Sequence, residues 1–430
     1  MNLIGFVARA MRHRALQAAC HIALAAVVAF TARAADGPLT LDVAIEHALS
    51  EAPQVVAAQS SLEGAQAYLP SAGRLPDPEL IIGVDNLPAN GVDQFSLTRD
   101  FMTMRKVGVM QTVPAGAKRR YRAEAASREV DVAVSDLRAA RFQTASAAAE
   151  AWISLAVAEE TLERVRALKS DLGVQSSTAR AALSSGRGTA GDALASEATL
   201  ARLDNQILEL EQQRAMRRAE LARWVGDEAS QELGELPWKR ELATAPEILI
   251  QEVALHPPLA PIAARVDAAK TAVNLARAER RSDWAAQLSF AKRGPDYSDM
   301  VSLEFRVGLP LFARNRQNPA IAAKLASVRA SEAELDAELR MHRAEIESMA
   351  AMWRSGRQRL RHFEATLLPL ARDRSRAVLT SYGSGRGDLR AVLDALRDEV
   401  DLQREYVGLE GDVTRAWTFL HLLHSSGATP

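Results

Sequence analysis

Met102, Met104 and Met110 fall within nine residues of one another. Thioethers are soft ligands that suit Cu(I), so this triplet is the nearest approach to a metal site. Methionine mostly serves as adaptable packing, and that is the weightier reading, so no metal site is assigned. Of the eight histidines, His421 and His424 stand three apart, a spacing that lets two side chains share a helix face. No acidic or cysteine neighbour stands at ligand spacing beside them. Neither HExxH, CxxC nor a phosphate-loop pattern occurs, and no nucleophile–base pair stands out. The chain reads as a non-enzyme, with no catalytic residue and no cofactor.

The elements that carry these residues are long. Ala, Leu, Arg and Glu dominate a chain of 430 residues that is only 5% aromatic, a composition that favours helices. Lys+Arg is 53 and Asp+Glu 54, which argues against a nucleic-acid footprint. The N-terminus has the pattern of a secretory signal: basic Arg9, Arg12 and Arg14, an apolar run from Ala18 to Phe30, and the small-x-small site Ala32-Arg33-Ala34. The run of about 13 residues falls short of the roughly 20 that span a bilayer. Residues 1–34 are read as this signal, giving a mature start near Ala35. Cys20 is the only cysteine and precedes most of the apolar run, so neither a lipid anchor nor a disulfide is expected.

The remaining chain carries one plan twice. Ser185-Gly186-Arg187-Gly188 recurs as Ser384-Gly385-Arg386-Gly387. At the same offset Leu194 matches Leu393 and Leu203 matches Leu402, and Val113-Pro114-Ala115 precedes Leu311-Phe312-Ala313 by nearly the same distance. The units are residues 35–226 and 246–425, with a linker at 227–245 and a tail at 426–430. Each is expected to hold a helix (Leu41 to Gly73; Pro246 to Arg281), two short alternating segments, a very long helix (Ala117 to Leu183; Asn318 to Tyr382), a glycine turn, and a returning helix (Ala190 to Val225; Leu389 to Leu423). Glycines near a helix end supply the positive φ of a C-cap.

The alternating segments have the period of strands. From Val301 to Leu309 every odd position is apolar and every even one polar or glycine. Trp284, Ala286, Leu288 and Phe290 alternate with Ala285, Gln287, Ser289 and Ala291. Leu80, Ile82 and Val84 do so less cleanly, and Val107, Val109 and Val113 lie opposite Lys106, Gly108, Met110 and Thr112. Runs of about nine to eleven residues match membrane-spanning strands. A soluble two-sided hairpin is the plainer alternative, but buried Glu304 and Arg306 would then need partners. Four strands cannot close a barrel in lipid, where about eight are the working minimum, so several chains must share one. A helix of about 65 residues extends roughly 100 Å and suits the wall of a tube, with Leu162, Val165, Leu168 and Leu172, and Leu360, Phe363, Leu367 and Leu370, as its apolar seams.

With these features the chain resembles the TolC-type outer-membrane factors of Gram-negative export systems, from Leu39 to about Leu423. The resemblance rests on the duplicated unit, the strand exits at Val113-Pro114 and Leu309-Pro310-Leu311-Phe312, and the glycine turns before Leu194 and Leu393. Gly73-Arg74-Leu75-Pro76-Asp77-Pro78-Glu79-Leu80, Asp85-Asn86-Leu87-Pro88 and Asp100 to Gln111 are similar to the heavy-metal branch, the CusC and CzcC type. The implied fold is mainly α with a small β part. A long antiparallel helical tunnel would be joined to four strands per chain in a homotrimeric twelve-stranded transmembrane β-barrel. The implied function is a passive outer-membrane conduit of a tripartite efflux system, working with a periplasmic adaptor (membrane fusion protein) and an inner-membrane RND pump. Its cargo would be heavy-metal cations such as Cu/Ag or Co/Zn/Cd. The partners expected are outer-membrane lipid and these proteins, with no nucleic acid. Drug efflux, type I protein secretion and a non-channel periplasmic coiled-coil scaffold are the alternatives. The resemblance also implies that Gly186, Arg187, Gly188, Gly385, Arg386 and Gly387 form the periplasmic tip that meets the adaptor. It implies an acidic tunnel constriction at Asp394, with Asp388 and Asp192 as neighbouring candidates; Ala391 stands where some relatives carry a second aspartate.

Overall fold

The computed structural model describes residues 37–184 and 189–427. The expected secretory signal, Cys20 and the first glycine turn, including Gly186, Arg187 and Gly188, lie outside the described residues.

Thr40 opens α1 (Leu41–Glu51), its hydroxyl accepting from the Val43 N–H. The single helix expected from Leu41 to Gly73 is interrupted. Pro53 disfavours helical geometry at the preceding residue, Ala52 is extended at φ −61° and ψ 121°, and α2 (Pro53–Tyr68) restarts with proline in its first turn. Two strands follow, β1 (Glu79–Asp85) and β2 (Met104–Val113). They lead into α3 (Gly116–Ser184), whose 69 residues extend about 100 Å. The returning helix is α4 (Ala190–Val225).

The second half repeats this order with its own breaks. The helix expected from Pro246 to Arg281 is α5 (Pro246–Gln251), a 3-10 turn (Val253–Leu255) and α6 (Ala260–Ala278). Strands β3 (Trp284–Lys292) and β4 (Met300–Val307) come next. The second rod is also divided, into α7 (Gln317–His362), a π turn (Phe363–Leu367) and α8 (Leu368–Gly383). Pro369 explains the π turn: it has no N–H and its ring crowds the carbonyl four residues back, so the ladder widens locally. The last helix is α9 (Leu389–Gly427).

The core is a series of thin seams between rods. Ala145, Ala149, Trp152, Leu155 and Leu162 are buried along α3. The Trp152 indole donates to the Leu39 carbonyl at 2.8 Å. Two glycines let neighbouring helices pack closely. A Cβ on Gly356 of α7 would stand 2.4 Å from Val413 Cγ2 of α9, and one on Gly411 of α9 would stand 2.5 Å from Val157 Cγ2 of α3.

The strands form one antiparallel sheet in the order β1-β2-β3-β4. The central pairing joins the two halves of the chain, with Val109 opposite Leu288 and Val113 opposite Trp284. The strands hold seven, ten, nine and eight residues, so β1 and β4 are shorter than the expected nine to eleven. Pro78 precedes β1 and β4 stops before Gly308-Leu309-Pro310; proline cannot donate to a ladder.

Candidate functional site: an amphipathic sheet on a helical shaft

The register gathers the two kinds of side chain onto opposite faces. On one face Leu80 pairs with Val109, Val109 with Leu288 and Leu288 with Leu303; the next row is Ile82, Val107, Phe290 and Val301. Trp284 and Val307 extend it. Ile82 is 76% and Val301 72% exposed, so this face meets none of the chain's own helices. A contiguous apolar surface of this kind marks a membrane or partner face. Across the sheet run Glu79, Met110, Gln287 and Glu304, then Ile81, Gly108, Ser289 and Ser302. Arg306 pairs with Glu304 at 2.6 Å and donates to Gln287 Oε1 at 3.3 Å. Lys106 pairs with Asp85 at 2.8 Å. One wet face and one apolar face, with β1 and β4 left as edges, is the pattern of a barrel segment in lipid.

The methionines do not converge. Met110 Sδ accepts from Arg306 Nη1 at 3.6 Å. Met104 lies opposite Asp85 at the other end of β2, six residues and so about 20 Å away. Met102 sits in the preceding loop, its carbonyl accepting from Asn86. The three cannot surround one ion.

Below the sheet, the strand exits are bound together by a charge cluster that sequence reasoning missed. The Lys118 ammonium at the start of α3 reaches Asp283 at 2.9 Å and Glu279 at 3.2 Å, with its side chain 6% exposed. Asp283 also accepts from the Ala115 N–H at 2.8 Å, and its carbonyl accepts from Gly308 at 3.0 Å. Burial alone would raise the Asp283 carboxyl, but the Lys118 hydrogen bond and the Ala115 N–H together hold it below its ordinary value. Burial alone would depress Lys118, and the two carboxylates more than reverse this and raise it. The signal was present in the sequence: Asp283 immediately precedes an alternating run and Lys118 follows Val113-Pro114.

Residues 249–424 match the sequence profile described as outer membrane efflux protein. The cobalt-zinc-cadmium resistance protein CzcC of Cupriavidus metallidurans is 27% identical over 400 residues, covering 90% of this chain and 90% of that protein. The second half of the chain is thus similar to the outer membrane efflux proteins. Two solved relatives share the fold. VceC of Vibrio cholerae has a TM-score of 0.75 at 21% identity, covering 90% of this chain and 96% of that one. CusC has a TM-score of 0.76 at 14% identity, covering 91% and 92%.

The chain therefore has the fold of these outer-membrane proteins, a small sheet at one end of a long helical shaft. No helix among the described residues is long and apolar enough to cross a membrane.

At the far end of the shaft the second glycine turn is a Schellman cap. Arg386 N donates to the Ser381 carbonyl and Gly385 N to that of Tyr382, both at 3.0 Å, with Gly385 at φ +76°. Gly387 packs against the helix end, since a Cβ there would stand 2.7 Å from Tyr382 N. Asp388 then caps α9, accepting from the Arg390 N–H at 3.2 Å. Asp394 is exposed on α9, 3.8 Å from Arg397. Asp192 lies on the first turn of α4. His421 stacks on Trp417 at 4.7 Å, while His424 meets Thr244 at 2.9 Å. That pair is thus engaged in packing.

Proposed function

We propose that three copies of this chain form one outer-membrane barrel and one periplasmic tunnel, as the passive exit duct of a tripartite pump exporting heavy-metal cations. The observation that carries the reading is the sheet. Its apolar face is uncovered, its polar face holds Arg306, Glu304 and Lys106, and two edges are free. Such a sheet needs lipid on one side, water on the other and neighbouring chains at both edges. Three copies would supply twelve strands, enough for an aqueous lumen. The metal cargo is supported by the likeness to the cobalt-zinc-cadmium resistance protein. The glycine turns with Gly385, Arg386 and Gly387 would meet a periplasmic adaptor driven by an inner-membrane pump, and Asp394 would contribute one acidic ring to the tunnel mouth. Asp388 is committed to capping its own helix, which weakens its claim to the constriction.

Deletion of the gene tests the cargo. Tolerance to cobalt, zinc, cadmium, copper and silver should fall, and the wild-type chain should restore it. Unchanged metal tolerance beside heightened drug sensitivity would overturn the metal reading and leave a drug channel. Recovery of the chain as a soluble periplasmic monomer would overturn the channel itself.

A further inference from the structure

A cavity of about 680 Å³ lies well away from both sheet and tip. The strap between the two repeats, Glu232 to Arg240, roofs it, and α3 and α9 form its floor. The strap is fixed in place: Leu39 N donates to the Glu232 carbonyl at 2.7 Å and Gly234 N to the Leu39 carbonyl at 3.0 Å. Glu159, Glu160 and Glu163 enter from one face of α3, Glu232 and Glu235 from the strap, and Glu410 from α9. The spacing of the α3 carboxylates at three and four residues puts them side by side.

The charges are not balanced locally. Glu159 pairs with Arg218 and Glu160 with Arg164. The two cations of the strap are directed elsewhere, Lys239 to Glu364 at 3.3 Å and Arg240 to Asp42 at 2.8 Å. Glu163, Glu232 and Glu235 form no ion pair among the described residues, and Glu410 feels only Arg164, which is itself paired with Glu160. Glu410 is the decisive one. It is 6% exposed and lines the cavity; Tyr406 and Trp238 hydrogen-bond its carboxyl group, but its Oε2 meets no partner. A buried carboxylate oxygen left unpaired is costly, and a cation in the cavity would satisfy it.

We propose that this cavity binds a small linear organic cation carrying two or more ammonium groups, with Glu410, Glu163 and Glu235 as its anchors. A bare metal ion fits less well, because no three acidic or histidine groups among the described residues converge to hold one. Carboxylates spread along a helix face and an opposing strap suit charges separated by several methylenes. The protonation state of Glu410 supports the reading. Burial raises its carboxyl to about 7, with Glu160 adding to the rise and Tyr406, Arg164 and Trp238 opposing it. Glu364 of the π turn faces Tyr406, whose hydroxyl donates to it at 3.1 Å, and Lys239 lies on the strap. Binding a cation should therefore release a proton near neutrality.

Spermidine binding to the purified full-length protein in detergent, measured by calorimetry in 0.15 M salt, tests this. One saturable site per chain is expected at pH 8, weakening severalfold at pH 6. Glu410→Gln should weaken it about tenfold or more, the scale of one lost charge-assisted contact. Glu235→Gln, an exposed strap position that leaves the helix seams alone, should weaken it in the same direction. Glu347→Gln, on the exposed face of α7, should change nothing. Absence of saturable spermidine binding at pH 8 would overturn the proposal. So would indifference to both cavity substitutions, equal loss in Glu347→Gln, or saturable binding of Zn²⁺ in place of spermidine.

Discussion

Replacing Gly385 by valine should open the tip without touching the rest of the molecule. Gly385 holds φ +76°, a region where an L-residue costs roughly 1–2 kcal/mol, with β-branched side chains at the upper end. Two hydrogen bonds of 3.0 Å depend on that conformation, from Gly385 N to Tyr382 and from Arg386 N to Ser381. Their net worth at an exposed site is small, so backbone strain sets the scale at about 2 kcal/mol, close to a thirtyfold shift in local opening. Hydrogen exchange on peptides spanning 378–392 of the assembled protein reads this directly. Exchange at Gly385 and Arg386 should accelerate about thirtyfold in Gly385→Val and only severalfold in Gly385→Asn, since asparagine tolerates positive φ. Gly387→Ala should also accelerate exchange for a different reason: its Cβ would meet backbone, Tyr382 N at 2.7 Å and Ser381 C at 3.0 Å, which no rotamer relieves. Protection in the helix seams should be unchanged. Wild-type exchange in Gly385→Val, or equal damage by asparagine and valine, would refute the conformational reasoning.

Two further perturbations address the shaft. Gly356→Ala puts a methyl 2.4 Å from Val413 Cγ2, and the overpacking should cost about 1–3 kcal/mol; Val413→Ala in the same chain should recover most of the lost thermal midpoint, and a failure to recover would show that the Val413 contact was not the cause. His256 and His342 form a buried pair at 3.2 Å, with His342 also 3.0 Å from Glu345. Burial first, then the His342 ring, lowers His256 to about 4. The unfolded chain takes this proton near 6.5, so the contribution to stability is complete above about pH 6.5 and is lost as pH falls toward 4. The drop in thermal midpoint between pH 7 and pH 5 should accordingly be smaller in His256→Phe than in wild type.

Periodicity made the long rods and the two faces of the sheet legible, because both follow from side-chain spacing alone. Val301 to Val307 and Trp284 to Phe290 needed no tertiary information to reveal their apolar face. The breaks were less visible. Ala52 departs from helix because of Pro53, and the π turn at Phe363–Leu367 anticipates Pro369; both prolines are in the sequence, but composition elsewhere outvoted them. The glycine turn at Gly385 was readable as a turn, while the reason for Gly387 lay in a backbone contact that only the fold creates. The methionine triplet, read chiefly as packing, gathers no ligand set, because nearness along a strand is not nearness around an ion. Glu410 carried no signal at all: one glutamate in a helix acquires its meaning from a strap nearly 180 residues earlier in the chain.

The repeat has a physical consequence for what counts as a folding unit. If each half were a domain, its hairpin and its rod would be self-contained. Instead the hydrogen bonds between β2 and β3 cross from one half to the other, and Lys118 of the first half closes on Asp283 and Glu279 of the second. The seams are shared too, since Trp417 of α9 packs in one buried cluster with Trp152 of α3 and Leu221 of α4. Cutting the chain at the linker would expose a strand edge, a buried ammonium and the face of α3 at once. The same logic extends outward. The edges left at β1 and β4 and the bare apolar face are what the β2–β3 contact would look like had the second half been removed. Internal duplication satisfies one such edge within the chain, and the remaining two are the edges that the proposed assembly would pair.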